Sequence, residues 1–117
     1  MLYGRARLYE QAIEVFNRSI SLDPGRASSY SNRGRTFFYL GRYDEALYDL
    51  NRAIALDDKF DVAYINRGEL YYRTGNTALA NADFRMACDL GNAIGCTALQ
   101  QLMEESSPKQ RDAPGIR

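Results

Sequence analysis

Apolar residues recur at steps of three and four along most of this chain. In the first long stretch, Ala12, Ile13, Phe16 and Ile20 lie on one stripe, which is typical of an amphipathic helix. Pro24 marks the end of that helix, because proline cannot continue the backbone hydrogen-bond ladder. The pattern predicts an all-α chain with helices over about residues 9–22, 27–40, 44–56, 61–73, 77–90 and 93–105.

The pattern itself repeats with a period of 34 residues. One block covers residues 27–60, a second covers residues 61–94, and part of a further copy precedes them at residues 1–26. The two complete blocks share the pairs Tyr30 and Tyr64, Asn32 and Asn66, Arg33 and Arg67, Gly34 and Gly68, Gly41 and Gly75, Ala46 and Ala80, Asp49 and Asp83, Ala53 and Ala87, and Leu56 and Leu90. Such self-similarity predicts a stack of like units, each of which buries its apolar face on its neighbours.

The spacing of glycine, alanine and aromatic residues in these blocks resembles the tetratricopeptide repeat. The residues that carry the resemblance are Tyr30, Gly34, Phe37, Leu40, Gly41, Tyr43, Ala46, Leu50 and Ala53, with Tyr64, Gly68, Tyr71, Gly75, Ala80, Phe84 and Ala87 in the second block. The resemblance implies a right-handed α-solenoid of antiparallel helix hairpins, with about two and a half units and a C-terminal capping helix. It also implies a protein–protein interaction scaffold, whose concave groove takes an extended peptide or a partner helix.

On this frame, residues 1–106 form one repeat domain. It contains the partial unit 1–26, the complete units 27–60 and 61–94, and a capping helix at 95–106. Residues 107–117 hold two prolines, several charges and almost no apolar side chains. We expect them to form a disordered tail.

The partial first unit departs from the frame at Arg7, which stands in the column of Gly41 and Gly75. We expect residues 1–7 to be the end of a first helix, with a second helix from Tyr9. Because the first helix is short, the apolar stripe that holds Ile13, Phe16 and Ile20 should lack part of its cover, and exposed apolar patches favour association. The alternative function is therefore a structural assembly module, which forms a weak homo-oligomer through its incomplete N-terminal repeat.

The composition narrows the classes of function. The chain of 117 residues has 15 basic and 15 acidic residues and no formal net charge, so neither nucleic acid nor a membrane surface is an expected partner. No apolar stretch reaches the roughly 18 residues that a membrane-spanning helix needs. Histidine is absent, which removes the commonest general base and metal ligand. We expect a soluble, cytoplasmic protein without enzyme activity, metal or cofactor, whose partner is a protein or peptide.

Two cysteines stand near the C-terminal end of the repeats. Residues 87–96, which contain Cys88 and Cys96, resemble the link between units in cysteine-rich Sel-type repeat proteins. That resemblance implies a disulfide and an extracytoplasmic location, because disulfides persist in oxidising compartments. Against it, Cys88 lies in the column of Ile20 and Ile54, where a free thiol would act as a small buried hydrophobe. Both interpretations stay open at the level of sequence.

Charged residues also recur once per unit. Arg33 and Arg67 share one column on the first helix of each unit, and Asp49 and Asp83 share one on the second helix. We interpret these residues as partly buried ion pairs that fix how the hairpins stack, either within a unit or between neighbours. No nucleophile accompanies them, so a catalytic role is not expected.

The recurring asparagines are the strongest candidates for a binding site. Asn32 and Asn66 share a column, and an amide can both donate to and accept from the main chain of an extended peptide. Similar asparagines grip peptide backbones in tetratricopeptide arrays, and we expect both side chains to face solvent. The alternative is an asparagine bonded to a neighbouring hairpin. The candidate peptide-binding residues are Asn32, Asn66, Arg35, Tyr39, Val62, Ile65, Glu69 and Arg73.

The charges of this candidate wall are mixed, which argues against a strongly acidic or basic ligand. A family variant that clamps acidic chaperone tails has basic residues on the inner face of its third unit. Val62 and Asn66 stand at those places here. The clamp is therefore not expected.

Overall fold

The computed structural model describes the backbone of residues 2–106, and these residues form six α-helices. The helices are α1 (Leu2–Leu22), α2 (Ala27–Tyr39), α3 (Tyr43–Leu56), α4 (Asp61–Arg73), α5 (Thr77–Asp89) and α6 (Ala93–Ser106). From α2 onwards each helix begins and ends within one residue of the limits that periodicity predicts. The expected tail at residues 107–117 lies outside the described residues.

The helices pair into antiparallel hairpins and form an all-α solenoid. The hairpins are α2 with α3 and α4 with α5, each joined by a three-residue turn. Gly41 and Gly75 lie in these turns with φ of 78° and 88°, a left-handed conformation in which glycine has no steric penalty. The following residue closes each turn, as the Arg42 N–H donates to the Phe37 carbonyl over 2.9 Å.

Within each hairpin the two backbones approach closely where the first helix carries a glycine. A Cβ on Gly34 would lie 3.1 Å from the carbonyl oxygen of Ala46, so the backbones of α2 and α3 are close together at these two small residues. A Cβ on Gly68 would lie 2.7 Å from the buried ring of Phe84. The close packing of each hairpin therefore depends on a residue without a side chain.

The core is a row of small clusters between neighbouring helices, as expected for a repeat stack. The largest cluster has members from each of the four helices α1, α2, α3 and α4: Ile13, Phe37, Ala46, Leu50 and Leu70. A second cluster lies between the two complete units, and a third joins α4, α5 and α6.

α1 differs from the predicted pair of helices with a break near residue 7. The structure has one continuous helix of 21 residues from Leu2 to Leu22. Arg7 explains the difference, because a left-handed turn like those at Gly41 and Gly75 costs a residue with a Cβ about 1–2 kcal/mol. With arginine in this column the turn is lost and the helix continues.

The uncovered side of α1 is also not the one that the sequence predicted. Ile13 is buried and Phe16 and Ile20 are half-buried, because Ile13 and Ile20 face the clusters that α2 completes. Among the side chains of α1 that the structure describes, the large exposed apolar ones are Leu8, Val15 and Leu22, at 64%, 64% and 81% of their full accessibility. We call these three residues, spaced seven apart, the α1 stripe.

α6 joins α5 through a turn of the kind that otherwise closes a hairpin. Gly91 has φ of 97°, and the Asn92 N–H donates to the Ala87 carbonyl over 3.0 Å. This link has three residues, whereas the link between α3 and α4 has four. α6 consequently begins at Ala93, two residues before the place where the period of 34 puts the next unit.

The core contacts show the same shift of α6. A side chain on Gly95 would meet Ala87, and Leu102 packs with Phe84. The corresponding pairs between α3 and α4 are Ala53 with Ala63 and Leu50 with Leu70. α6 thus stacks on α5 as α4 stacks on α3, but with an offset of 32 residues from α4 instead of 34.

Candidate functional site

α2 and α4 are the first helices of the two complete units, and they lie side by side. We call the surface that they build the α2–α4 face. All of the predicted binding residues are on these two helices: Asn32, Arg35 and Tyr39 on α2, and Val62, Ile65, Asn66, Glu69 and Arg73 on α4.

The two recurring asparagines have different environments, although they share a column. Asn32 is exposed. Asn66 is half-buried, and its Nδ2 donates to the hydroxyl of the fully buried Ser31 over 3.1 Å. The expectation that both amides face solvent is therefore wrong for Asn66, because α2 lies beside α4 and offers it a partner.

Arg35 and Tyr39 form a local cluster at one end of the α2–α4 face. The Arg35 guanidinium donates to the Tyr39 hydroxyl over 3.1 and 3.2 Å and lies over its ring. The Tyr39 ring also meets the Phe38 ring edge-on and stacks on Tyr9 of α1, each at 5.6 Å between centroids. Tyr39 remains 49% exposed. Sequence reasoning missed Tyr9, since nothing in the repeat frame places α1 beside Tyr39.

On α4, polar and apolar candidates alternate along the face. Arg73 Nε lies 3.1 Å from Glu69 Oε2 in an exposed ion pair one helical turn apart. Val62 is 41% exposed and Ile65 is half-buried. The face therefore offers amide, aromatic and apolar contacts, and its two arginines already have partners.

The recurring arginines and aspartates form ion pairs within each unit, on a different side of the hairpins. Arg33 Nε and Nη2 donate to the two carboxylate oxygens of Asp49, each over 2.8 Å, and Asp49 is 1% exposed. Arg33 Nη1 also donates to Asn17 Oδ1 of the preceding unit over 2.8 Å. The hydrogen bonding that Arg33 donates to Asp49 raises the pKa of Arg33 above its ordinary value. Each arginine thus holds its own hairpin and the helix before it.

The second unit repeats this arrangement. Arg67 donates twice to Asp83 over 2.8 Å and once to Asn51 over 2.9 Å. The hydrogen bond to Asp83 likewise raises the pKa of Arg67. The predicted partly buried ion pairs are confirmed, and each lies within one unit. The hydrogen bonds to Asn17 and Asn51 connect each arginine to the preceding unit.

A small cavity lies between α4 and α6, next to the α2–α4 face. Its volume is about 210 Å³, and the ring of Phe84 from α5 also lines it. On its rim the Tyr72 hydroxyl donates to Glu105 Oε1 over 3.0 Å, which raises the pKa of Tyr72 above its ordinary value. Sequence reasoning missed this cavity, although the replacement of Phe38 by Tyr72 in the same column marks the place. The remaining lining residues are Glu69, Ala98, Gln101 and Leu102.

Cys88 and Cys96 are joined by a disulfide in the structure, with their Cα atoms 4.5 Å apart. The bond connects the last turn of α5 to the first turn of α6.

Among the described residues, no group of three or more histidine, cysteine or acidic side chains could hold a metal ion. Within residues 2–106 there is also no helix with the length and apolar character that crossing a membrane requires.

Family models match two parts of this chain. A model described as "TPR repeat" matches residues 34–75, and one described as "Tetratricopeptide repeat" matches residues 1–26. No curated protein sequence matches the chain.

Three solved structures of similar fold are TPR domains. The Arabidopsis OM64 TPR domain is 28% identical with a TM-score of 0.78, covering 85% of this chain and 84% of that one. The first TPR of Spaghetti (RPAP3), bound to the HSP90 peptide SRMEEVD, is 24% identical with a TM-score of 0.77, covering 88% and 83%. The second TPR domain of human RPAP3, in complex with the HSP70 peptide SGPTIEEVD, is 32% identical with a TM-score of 0.72, covering 81% of each chain. With its recurring columns and its helix hairpins, this chain belongs to the tetratricopeptide repeat family.

Proposed function

We propose that this protein is an interaction scaffold that binds an extended segment of a partner protein across the α2–α4 face. One observation carries the proposal: Asn32, Tyr39 and Val62 are exposed on neighbouring helices. An exposed amide can bond a peptide main chain, and the apolar and aromatic surfaces beside it can take side chains. The peptide complex of human RPAP3, at 32% identity, supports the same class of ligand for this chain.

The chemistry of the face favours a ligand held mainly by its backbone. The peptide bound by human RPAP3 ends in EEVD, and such an acidic end needs unpaired cations. Here Glu69 balances the charge of Arg73, so Arg35, whose guanidinium donates to the neutral Tyr39 hydroxyl, is the one cation without an ion pair among the candidate residues. We therefore expect a ligand of mixed character rather than a strongly acidic tail.

Peptide selection followed by one substitution on the face tests this function. A phage-displayed library of random octapeptides is selected on the protein, and the best peptide is measured by fluorescence anisotropy. Loss of one amide-to-backbone hydrogen bond is worth about 0.5–1.5 kcal/mol, so Asn32→Ala should weaken binding about two- to tenfold. Tyr48→Ala is the matched control, because Tyr48 is 65% exposed on α3, away from the face. Equal affinities of the two variants would place the site elsewhere.

Asn66 is not suitable for this test. Its replacement by alanine would leave the buried Ser31 hydroxyl without the amide that now bonds it, and an unsatisfied buried polar group costs about 1–3 kcal/mol. A loss of binding by that variant would therefore mix a stability effect with a contact effect. Asn32 is exposed and gives the cleaner result.

Self-association is a second candidate function, and the α1 stripe is the observation that favours it. Leu8, Val15 and Leu22 present apolar surface on one side of a single helix, which a second copy of α1 could cover. Sedimentation equilibrium over a wide range of concentrations tests this: the parent should associate, and Val15→Glu should be monomeric. A parent that stays monomeric at high concentration removes this candidate.

For the compartment, we infer an extracytoplasmic location over the cytoplasmic expectation. The inference rests on the paired sulfurs of Cys88 and Cys96, because thiols are kept reduced in most cytosols. Thiol titration of natively produced protein, denatured without reductant, tests the inference. Two reactive thiols per chain would favour the cytoplasm.

A further inference from the structure

The cavity between α4 and α6 is lined by the helix that departs from the period of 34 residues. In the first complete unit the column of Tyr72 holds Phe38, which is half-buried and packs against the core cluster of α1 to α4. Between α4 and α6 the same column holds Tyr72, whose side chain is 40% exposed and reaches across to Glu105 instead. The inner side of the stack therefore has an open cavity at its C-terminal end.

The size of the cavity limits its occupant. Its volume of about 210 Å³ is below the roughly 300–1,000 Å³ of sites for drug-sized ligands or cofactors. One long side chain fits a space of this kind. Since Glu69 belongs both to the cavity and to the α2–α4 face, a segment bound on the face can place a side chain in the cavity.

The lining determines the chemistry of that side chain. Its floor is apolar, with the buried rings and chains of Phe84 and Leu102, which suits the methylene stem of a long residue. Its rim holds two carboxylates, Glu69 and Glu105, and no cationic side chain from the described part of the chain lines it. Tyr72 occupies only Oε1 of Glu105 and Arg73 only Oε2 of Glu69 among the described residues. An aromatic ring beside two carboxylates favours a cation.

We propose that this cavity binds a lysine or arginine side chain of the partner segment. The inference rests on the proposed binding of an extended segment and adds its chemistry: a basic residue anchored at the C-terminal end of the face. The ammonium or guanidinium group meets Glu105 and Glu69, while the stem lies on Phe84. The proposed ligand is thus distinct from an acidic chaperone tail.

The chain offers a closely matched control for the role of Glu105. Glu104 is the preceding residue on α6, is also exposed and carries the same charge, but it does not line the cavity and lies near Gln100 instead. Glu105→Gln and Glu104→Gln therefore change the net charge equally. Only the first should change binding of a basic side chain, whereas a general electrostatic effect would change both.

The first experiment uses the octapeptides selected on the parent protein. We expect one position of the selected peptides to be enriched in lysine or arginine, and its replacement by norleucine to weaken binding about three- to tenfold, as for a partly exposed charge contact. In Glu105→Gln the same replacement should change the affinity less than twofold, while Glu104→Gln should behave as the parent. Peptides that bind without a preferred basic position would overturn the inference and leave the proposed function intact.

The second experiment tests the cavity without a peptide. The probes are N-acetyl-lysine methylamide and its uncharged norleucine analogue, titrated at millimolar concentration and followed by ¹H–¹⁵N NMR. The lysine probe should shift the amide signals of Tyr72, Phe84 and Glu105 in the parent and in Glu104→Gln, but not in Glu105→Gln. Equal shifts from both probes, or none, would overturn the basic-side-chain assignment. A lysine-specific response without any selected peptide would instead show that the extended-segment proposal fails while the cavity still binds cations.

Discussion

Removal of Arg33 should destabilise this fold far more than removal of an exposed ion pair. Asp49 is 1% exposed and accepts two hydrogen bonds of 2.8 Å from Arg33. Loss of one partner from a buried pair costs about 3–5 kcal/mol, because the remaining charge stays buried. We expect Arg33→Ala to lower the free energy of unfolding by about 3 kcal/mol, near the lower limit of this range. The reason is that the Arg33 side chain is 19% exposed, so water can enter the space that it leaves.

Two further variants make the expected order specific. Asp49→Ala leaves the arginine, which can turn toward water, so its cost should be smaller, about 1.5–3 kcal/mol. Glu69→Ala is the control, because Glu69 and Arg73 are 42% and 59% exposed and such a pair is worth about 0.3–0.5 kcal/mol. Urea unfolding followed by circular dichroism at the helix band measures all three. Arg33→Ala and Glu69→Ala variants of equal stability would refute the structural role of the Arg33 pair.

Three other predictions follow from the hairpins and the C-terminal cavity. Reduction of the disulfide should lower the free energy of unfolding by about 2.5 kcal/mol, the value for so short a loop, and dithiothreitol should have no effect on a variant with both cysteines replaced by serine. Gly68→Ala should cost about 1–3 kcal/mol by overpacking the Phe84 ring, whereas Gly4→Ala, with no neighbour within 4 Å, should be neutral or stabilising in thermal melts. Because Glu105 raises the pKa of Tyr72 in the fold, that contact stabilises the protein below the ordinary tyrosine pKa near 10 and is lost as pH rises through the raised value. In Glu105→Gln the pKa of Tyr72 should be closer to its ordinary value, and ultraviolet titration of the variant and the parent measures the difference.

The sequence was sufficient for the helices of the complete units, because both signals there are local. Apolar periodicity and the glycine of each turn placed the limits of α2 to α6 within one residue. Arg7 in place of a turn glycine also indicated that α1 is one continuous helix, but the repeat frame suggested a break there. A missing turn glycine is a stronger local signal than the period, since the turn cannot form without a left-handed residue.

The site was less predictable, because residues in the same column are not equivalent along a stack. Asn66 has α2 beside it and bonds Ser31, whereas Asn32 stays exposed. The cavity lies beside α6, whose link to α5 is one residue shorter than the link before α4. A fixed period of 34 residues does not predict such a shift, which is seen in the packing of Leu102 on Phe84 and of Gly95 on Ala87.

The most direct test of peptide binding is an NMR map of a selected octapeptide on the labelled protein. If an extended segment lies across the α2–α4 face, the largest shifts should fall on amides near Asn32, Tyr39 and Val62 and should continue to Tyr72. Amides on the outer side of α3 and α5, such as those of Tyr48 and Met86, should remain unchanged. Shifts confined to α3, α5 or the α1 stripe would contradict binding on this face.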